Sequence, residues 1–369
     1  MSKIKIETLT CVHVGSGVFL KRGNDFVLGK SEDNYSEINI VNLRKALQLI
    51  GEENINAWVS AIEKGRPIDS VIKQFAPKAK PSDYSDRNIM MWAEETTDTL
   101  KEFIHDGLGK PYLPGSSIKG AIRTAVLATV AKGITNKERI IKKEFSSIFT
   151  AKKVEEEAFG TNPNEDAFRF LQVGDAIFGK NYEAAVMLVN INERDNNSYW
   201  DTSKKQLVEV LTDGDEATFD LKINTSLYER AKNKVHPLPS CMKDVNTLFE
   251  TINKHTLSLL ESEIAYWEVR KNDEHADNVD NYLEKLSTVK KASEECSSHP
   301  GTCVMRMGHG SGWRFITGAW TEKLQNFNDV IWKARPGNNK YTGYDFPKSR
   351  RVDDQCELLG FVRLTIIDK

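Results

Sequence analysis

The chain has 369 residues, 39% hydrophobic and 28% charged, a normal soluble composition with enough length for two ordinary domains. Its 51 basic and 53 acidic residues leave a net charge of −2. That excludes a protein that coats DNA on its own, so any nucleic-acid contact must be a local patch, one wall of a larger assembly. The longest apolar stretch, Ala125–Ala131 with Thr129 inside it, is far short of a bilayer span. MSKIKIETLT carries no apolar signal core, and the five cysteines (Cys11, Cys241, Cys296, Cys303, Cys356) form no CxxC pair. These features read as a cytoplasmic protein with free thiols.

The opening residues alternate, with Ile4, Ile6, Thr8 and Thr10 on one side, which predicts a strand running through Val12 and Val14 into Gly15-Ser16-Gly17. Phe26–Leu28 predicts a second strand. Residues 41–64 carry apolar positions at helical spacing in two pieces divided by Gly51. Pro77–Asp86 reads as a turn-rich linker, and Thr97–Phe103 fits a strand or a helix equally. Pro114-Gly115 makes a turn with Ser116 or Ser117 at the N-cap of a helix whose apolar stripe is Ile118, Ala121, Ile122, Ala125 and Val126. Lys119 and Arg123 share its other face. The charged stretch Lys132–Thr161 reads as a helical excursion. Strands follow at Phe168–Val173, Ala184–Asn190 and Thr218–Ile223, with a turn at Asp213-Gly214. Thr247–Arg270 predicts a long amphipathic helix. Lys271–Ser298 is polar, with Tyr282, Leu283 and Leu286 as anchors. A glycine-rich segment, Gly301–Trp313, precedes a helix-like stretch holding Trp320, Leu324, Val330 and Trp332. Leu358–Ile367 closes the chain as a strand. Interspersed strands and helices without regular βαβ spacing predict an α+β protein with antiparallel sheets.

Three glycine clusters carry the chemistry. Gly115-Ser116-Ser117-Ile118-Lys119-Gly120 has the outline of a Walker loop, but Ala121 and Ile122 stand where lysine and a hydroxyl residue belong, so an NTPase is rejected. A Gly-Ser turn entering a helix still offers free N–H groups and a positive dipole end, suited to a polymer phosphate; a plainly capped helix with solvated basic residues explains the same spacing. Met307-Gly308-His309-Gly310-Ser311-Gly312-Trp313 lets backbone approach a ligand closely, flanked by Arg306 and Arg314; it lacks the spacing of a lipase nucleophile and also reads as a flexible turn. Gly15-Ser16-Gly17 is most simply a hairpin turn. Lys348, Arg350 and Arg351 follow Tyr341, Tyr344 and Phe346, a mixture that suits base stacking and phosphate neutralisation or a solvated loop. Cys296, His299, Cys303 and His309 match no zinc spacing, and His13 beside Cys11 has no third catalytic partner.

Several of these stretches together resemble one family. "YLPGSSIKGAIRTAV" and "MRMGHGSGWRF" are similar to signature segments of the RAMP superfamily, the RNA-binding backbone proteins of type III CRISPR systems. "FPKSRR" with "LLGFVRL", "ETLTCVHVGSG" and "EVLTDGDEATFDLKI" resemble, within it, the fifth-subunit family of type III-A Csm complexes. The pattern departs at His309, where a bulky aromatic is common, and at Cys11, where proline is.

The resemblance implies tandem ferredoxin-like (RRM-like) domains with helical insertions. The expected division is 1–228, with insertions at about 40–105 and 132–161, and 229–369, a helical and degenerate RRM-like segment. It further implies a non-catalytic subunit, with no cofactor or metal, that binds the 3′ part of crRNA. Such a subunit caps the backbone filament and supports 3′-end maturation through a recruited host nuclease. Its partners would be crRNA, target RNA indirectly, and neighbouring Csm backbone and small subunits, with no membrane. The RNA-contacting residues would be Gly15, Ser16, Gly17, Gly115, Ser116, Ser117, Lys119, Arg123, Gly308, His309, Gly310, Ser311, Gly312, Lys348, Arg350 and Arg351. Backbone donors and serine hydroxyls read phosphates and 2′-hydroxyls without reading bases, as a variable guide demands. The competing reading is a RAMP endoribonuclease. It would use Asp25 or Asp33 with a metal, or His13 or His309 as acid or base. A third is a structural protein whose loops merely turn.

Overall fold

The computed structural model describes residues 1–134, 152–179, 183–193, 197–324, 327 and 349–368. Four strands open the chain: β1 (Ser2–Thr8), β2 (Gly15–Lys21), β3 (Phe26–Lys30) and β4 (Ser36–Val41). Helices α1 (Leu43–Ile50), α2 (Ile55–Glu63) and α3 (Ile68–Phe75) follow, then β5 (Ser85–Met91), β6 (Thr99–Phe103) and β7 (Tyr112–Leu113). Next come α4 (Gly115–Gly133), α5 (Lys152–Phe159), β8 (Leu171–Val173), β9 (Ala176–Ile177), β10 (Glu183–Asn192), β11 (Trp200–Leu211) and β12 (Glu216–Ile223). The last elements are α6 (Thr225–Ala231), α7 (Val245–Glu268), α8 (Val279–Ser297), β13 (Thr302–Arg306), β14 (Ser349–Asp353) and β15 (Phe361–Asp368).

A five-stranded antiparallel sheet has the order β13-β15-β1-β12-β8. Taken in chain order, β1, α4, β8, β12, α7 and β15 make a β-α-β-β-α-β unit whose strands lie 4-1-3-2, the ferredoxin-like arrangement, with β13 added at one edge. Alternation sets the register. Ile4 and Ile6 of β1 are fully buried, and they face Phe219 and Ala217 across one ladder and Ile366 and Leu364 across the other. Helices α4 and α7 cover this face, placing Ile118, Ile122, Val126, Leu248 and Ile252 in one core with Ile4, Ile6, Leu221 and Leu364. Each such aliphatic, fully buried, contributes about 1.5–3 kcal/mol against the chain entropy.

The second sheet, β2-β6-β11-β10-β5-β4-β3 with β14 also on β10, is assembled from the two long inserts before α4 and before β12, plus β14. It is mixed: β5 runs parallel to β10 and β6 parallel to β11, each over two paired residues. One face packs on α7 and α8, with Trp267, Tyr282 and Leu286 against Met187, Val189 and Leu207. The other face carries Val186, Leu188 and Val208 under Cys11 and Leu359. Both sheets and both large cores draw residues from either side of the expected boundary near 228, which falls within α6.

The split helix expected over 41–64 is present as α1 and α2, with Gly51 at φ +88° ending the first. The undecided Thr97–Phe103 is β6, and the polar Lys271–Ser298 contains α8, anchored by Tyr282, Leu283 and Leu286. Phe168–Val173 is half a 3-10 turn, Ala167–Phe170, before the short β8. The helix-like stretch at Trp320 is a 3-10 turn, Thr317–Lys323; Val330 and Trp332 lie outside the described residues. Most of the expected excursion, 135–151, lies outside them too. No helix among the described residues is long and apolar enough to cross a membrane.

Candidate nucleic-acid interface

Two of the three glycine clusters meet. The segment after β1 runs beneath the loop after β13, and His309 N–H donates to the His13 carbonyl at 2.8 Å. A Cβ on Gly308 would stand 2.5 Å from that carbonyl oxygen, so only glycine seats the loop there. Gly308, Gly310 and Gly312 all have positive φ, between +72° and +79°. Gly15-Ser16-Gly17 is not a hairpin turn. It opens β2 as a bulge, with Gly17 at φ +91°, where two extra residues separate the Gly15–Phe103 and Phe19–Lys101 pairs. Ser16 Oγ donates to Glu102 Oε2 at 2.9 Å and accepts from Val18 N–H.

Positive charge gathers at this junction. Lys101 of β6 places Nζ 3.5 Å from His309 Nε2. Arg351 of β14 lies beside Gly310 and donates to Asn190 Oδ1 at 3.1 Å and the Lys204 carbonyl at 3.2 Å. Among the described residues, neither Lys101 nor Arg351 takes part in an ion pair with a carboxylate. The histidines register the resulting potential. Burial, followed by the charges of Lys101, His13 and Arg351, pushes His309 down to about 4. Burial and then Lys101 also lower His13, against a contact of its Nδ1 with the Glu209 carbonyl at 2.5 Å. The two rings meet edge to face at 5.6 Å between centroids. Ser311 completes the loop, half-buried.

The third cluster sits elsewhere and is internally satisfied. The helix starts at Gly115 with Pro114 as its N-cap, not Ser116 or Ser117, and Asp175 Oδ1 accepts from Gly115 N–H at 2.7 Å. Lys119 Nζ donates to the Leu171 carbonyl at 2.7 Å. Arg123 pairs with Glu155 at 2.8 Å and Asp166 at 3.0 Å, and lies 4.2 Å from the centroid of Phe159. These cations therefore tie α4 to α5 and β8. Of their expected availability to phosphate, the spacing of the motif told nothing, because their partners lie 32 to 52 residues away.

Strand alternation separates Arg350 from Arg351. Arg350 turns to the core, 5% exposed, and binds both carboxylate oxygens of Glu263. Glu263 also accepts from Trp267 Nε1 at 2.9 Å and Tyr282 OH at 3.1 Å, and lies 3.1 Å from Arg314 Nε. Burial alone would raise its pKa; Arg350 first, then Arg314 and Trp267, hold it below the ordinary value. Arg306, buried against Phe315 and Phe361, donates to the Leu359 and Gly310 carbonyls behind the glycine loop, and burial lowers it to about 10. Lys348, Tyr341, Tyr344 and Phe346 lie outside the described residues.

Asp25 accepts from Lys21 N–H at 2.8 Å and closes the turn between β2 and β3, and Asp33 lies in the exposed turn before β4. All five cysteines are buried free thiols. One further cluster escaped sequence reasoning: His105 Nε2 and the Glu183 and Glu209 carboxylates lie within 4.8 Å of one another, a set that suits a divalent metal. Arg87 already fills it, 3.0 Å from His105 Nε2 and 3.2 Å from Glu183, and paired with Glu209. The four residues come from four strand segments, and no local pattern announces them.

A profile of the RAMP superfamily matches residues 5–315, most of the chain. The chain belongs to the RAMP superfamily. This RAMP is 27% identical over 141 residues to a Streptococcus thermophilus protein described as CRISPR system Cms protein Csm5. The match spans 35% of this chain and 39% of that relative's length. Among solved structures, it superposes with a TM-score of 0.71 and 21% identity on a chain of a Csm–crRNA–target RNA ternary complex from a type III-A CRISPR-Cas system, covering 99% of this chain and 100% of that one. The crystal structure of T. onnurineus Csm5 gives a TM-score of 0.65 and 19% identity, covering 97% and 99%. These structures share the fold of this RAMP over its whole length.

Proposed function

We propose that this RAMP is the fifth subunit of a type III-A Csm effector complex. In this reading it is a non-catalytic RNA holder that binds the 3′ part of crRNA, caps the backbone filament and supports 3′-end maturation by a recruited host nuclease. One observation carries it: two glycine-bearing segments converge where Lys101 and Arg351 stand without a carboxylate partner. Exposed backbone and cations outside any ion pair among the described residues fit a ribose-phosphate strand of any sequence. The near-neutral total charge agrees with a subunit covering only a few nucleotides within a larger assembly. The full-length likeness to a chain of a crRNA-containing Csm complex supports the same reading.

The test is binding of single-stranded RNAs of unrelated sequence over a salt series, with and without magnesium. Wild-type protein is expected to bind them alike and cut none. The double variant Lys101→Ala/Arg351→Ala should bind about tenfold or more weakly, with a salt slope shallower by roughly 1.4, about 0.7 per lost phosphate contact on a single strand. Cutting that vanishes in His13→Ala, His309→Ala or Asp33→Ala would establish the endoribonuclease reading instead. No RNA retention, alone or in the assembled complex, would leave a structural protein.

The histidines give an independent readout. In the free protein the His309 ring should titrate near 4, and a bound phosphate should raise that value by offsetting Lys101 and Arg351. NMR titration of the imidazole signals with and without RNA checks both the value and the sign; an unchanged His309 in the complex would place the RNA elsewhere.

A further inference from the structure

We propose that Phe19 is a stacking platform for one unpaired nucleobase, at the edge of the interface described above; the inference rests on the RNA-holder reading. Phe19 lies in β2, the edge strand of the second sheet, and is 56% exposed. An isolated exposed phenylalanine is ordinary. Two features set this one apart.

The first is charge. Phe19 pairs directly with Lys101, whose Nζ is 5.6 Å from the ring centroid and 3.5 Å from His309 Nε2. The same ammonium thus touches the aromatic ring and the glycine loop. Lys21, two residues on and therefore on the same face, is exposed and belongs to no ion pair among the described residues. A flat apolar ring beside two lysines that form no ion pair among the described residues matches a base with its phosphates. A protein partner would favour a wider apolar patch and few lysines, because interface cores are depleted of them.

The second is geometry. The Gly17 bulge precedes Phe19 by two residues, and bulges re-aim the side chains beside them. Leu20, the next residue, points to the opposite face and is buried in the core with Leu100 and Leu207. Alternation around that anchor holds Phe19 on the face of Lys101 and the glycine loop.

The experiment uses the full chain and single-stranded RNA carrying one 2-aminopurine, moved along the strand. Phe19→Ala and Phe19→Leu should each weaken binding by roughly 5- to 100-fold, the range of one base–aromatic stack. They should leave the salt slope unchanged, since no charge is removed, and leave the melting temperature unchanged, since the ring is exposed. One 2-aminopurine position should be quenched on binding wild-type protein and not Phe19→Leu, while Phe19→Tyr or Phe19→Trp restores both affinity and quenching. Wild-type protein that retains no RNA overturns the platform together with the reading beneath it. Wild-type protein that binds through Lys101 and Arg351 while Phe19→Leu behaves as wild type overturns the platform alone. If Phe19→Leu keeps full RNA affinity but sheds a protein subunit from the assembled complex, β2 is a protein contact instead.

Discussion

Glu263→Ala is expected to destabilise the protein by about 3–5 kcal/mol, the cost of removing one partner from a buried ion cluster. The carboxylate is 1% exposed and joins Arg350, Arg314, Trp267 and Tyr282. Without it, two buried guanidinium groups, with Arg306 close by, face each other across a gap that water enters poorly. Glu322 pairs with Arg314, at 2.9 Å. Because α7, α8 and β14 all reach into the cluster, the loss should loosen the packing of those helices on the second sheet. For a chain of this length a loss of 3–5 kcal/mol corresponds to a melting temperature lower by roughly 4–6 °C. Thermal unfolding followed by circular dichroism checks it, and a shift below about 2 °C would mean that the cluster is already hydrated. Glu263→Gln, which keeps an acceptor for Trp267 and Tyr282 but not the charge, should fall between the two.

The second large effect separates two glycines of one motif. Gly115→Ala should destabilise by about 2–4 kcal/mol, although alanine is the better helix former. A Cβ at 115 would lie 2.3 Å from the Val173 carbonyl oxygen and 2.8 Å from that of Gly174, and neither backbone atom can move without breaking the edge of the first sheet. Gly120→Ala, five residues along the same helix, should instead stabilise by about 0.5–1 kcal/mol, because nothing lies within 4 Å of the added carbon. Urea unfolding of the two variants reads opposite signs. Equal signs would show that the start of α4 is not pressed against β8 as described.

The packing of Gly115 shows where sequence reading reached its limit. A glycine-serine turn, a lysine and an arginine at the head of a helix are compatible with holding a phosphate. They are equally compatible with close packing and internal pairing. The choice depends on Val173, Leu171, Glu155, Asp166 and Asp175, whose approach is made by chain folding rather than by spacing along α4. The pair Arg350 and Arg351 was better served by local rules. Once β14 is known to be a strand, adjacent residues must face opposite ways, and only one of them can lie beside the glycine loop. The placement of Lys101 was open for a related reason: Thr97–Phe103 carries too short a pattern to distinguish strand from helix, so the face that Lys101 occupies was undecided.

Short-range physics was readable from the order of residues alone. Alternation at Ile4 and Ile6, the helical stripe of α4, the amphipathic α7 and the need for glycine where φ turns positive are all set within a few residues of one another. The tertiary structure alone decided which cations meet a carboxylate. Arg123 and Arg350 find carboxylates 32 to 87 residues away, whereas Lys101 and Arg351 are brought together from 250 positions apart and form no ion pair with a carboxylate among the described residues. Coulomb and hydrogen-bond energies depend on distance in space and on burial, and chain order specifies neither for residues that far apart.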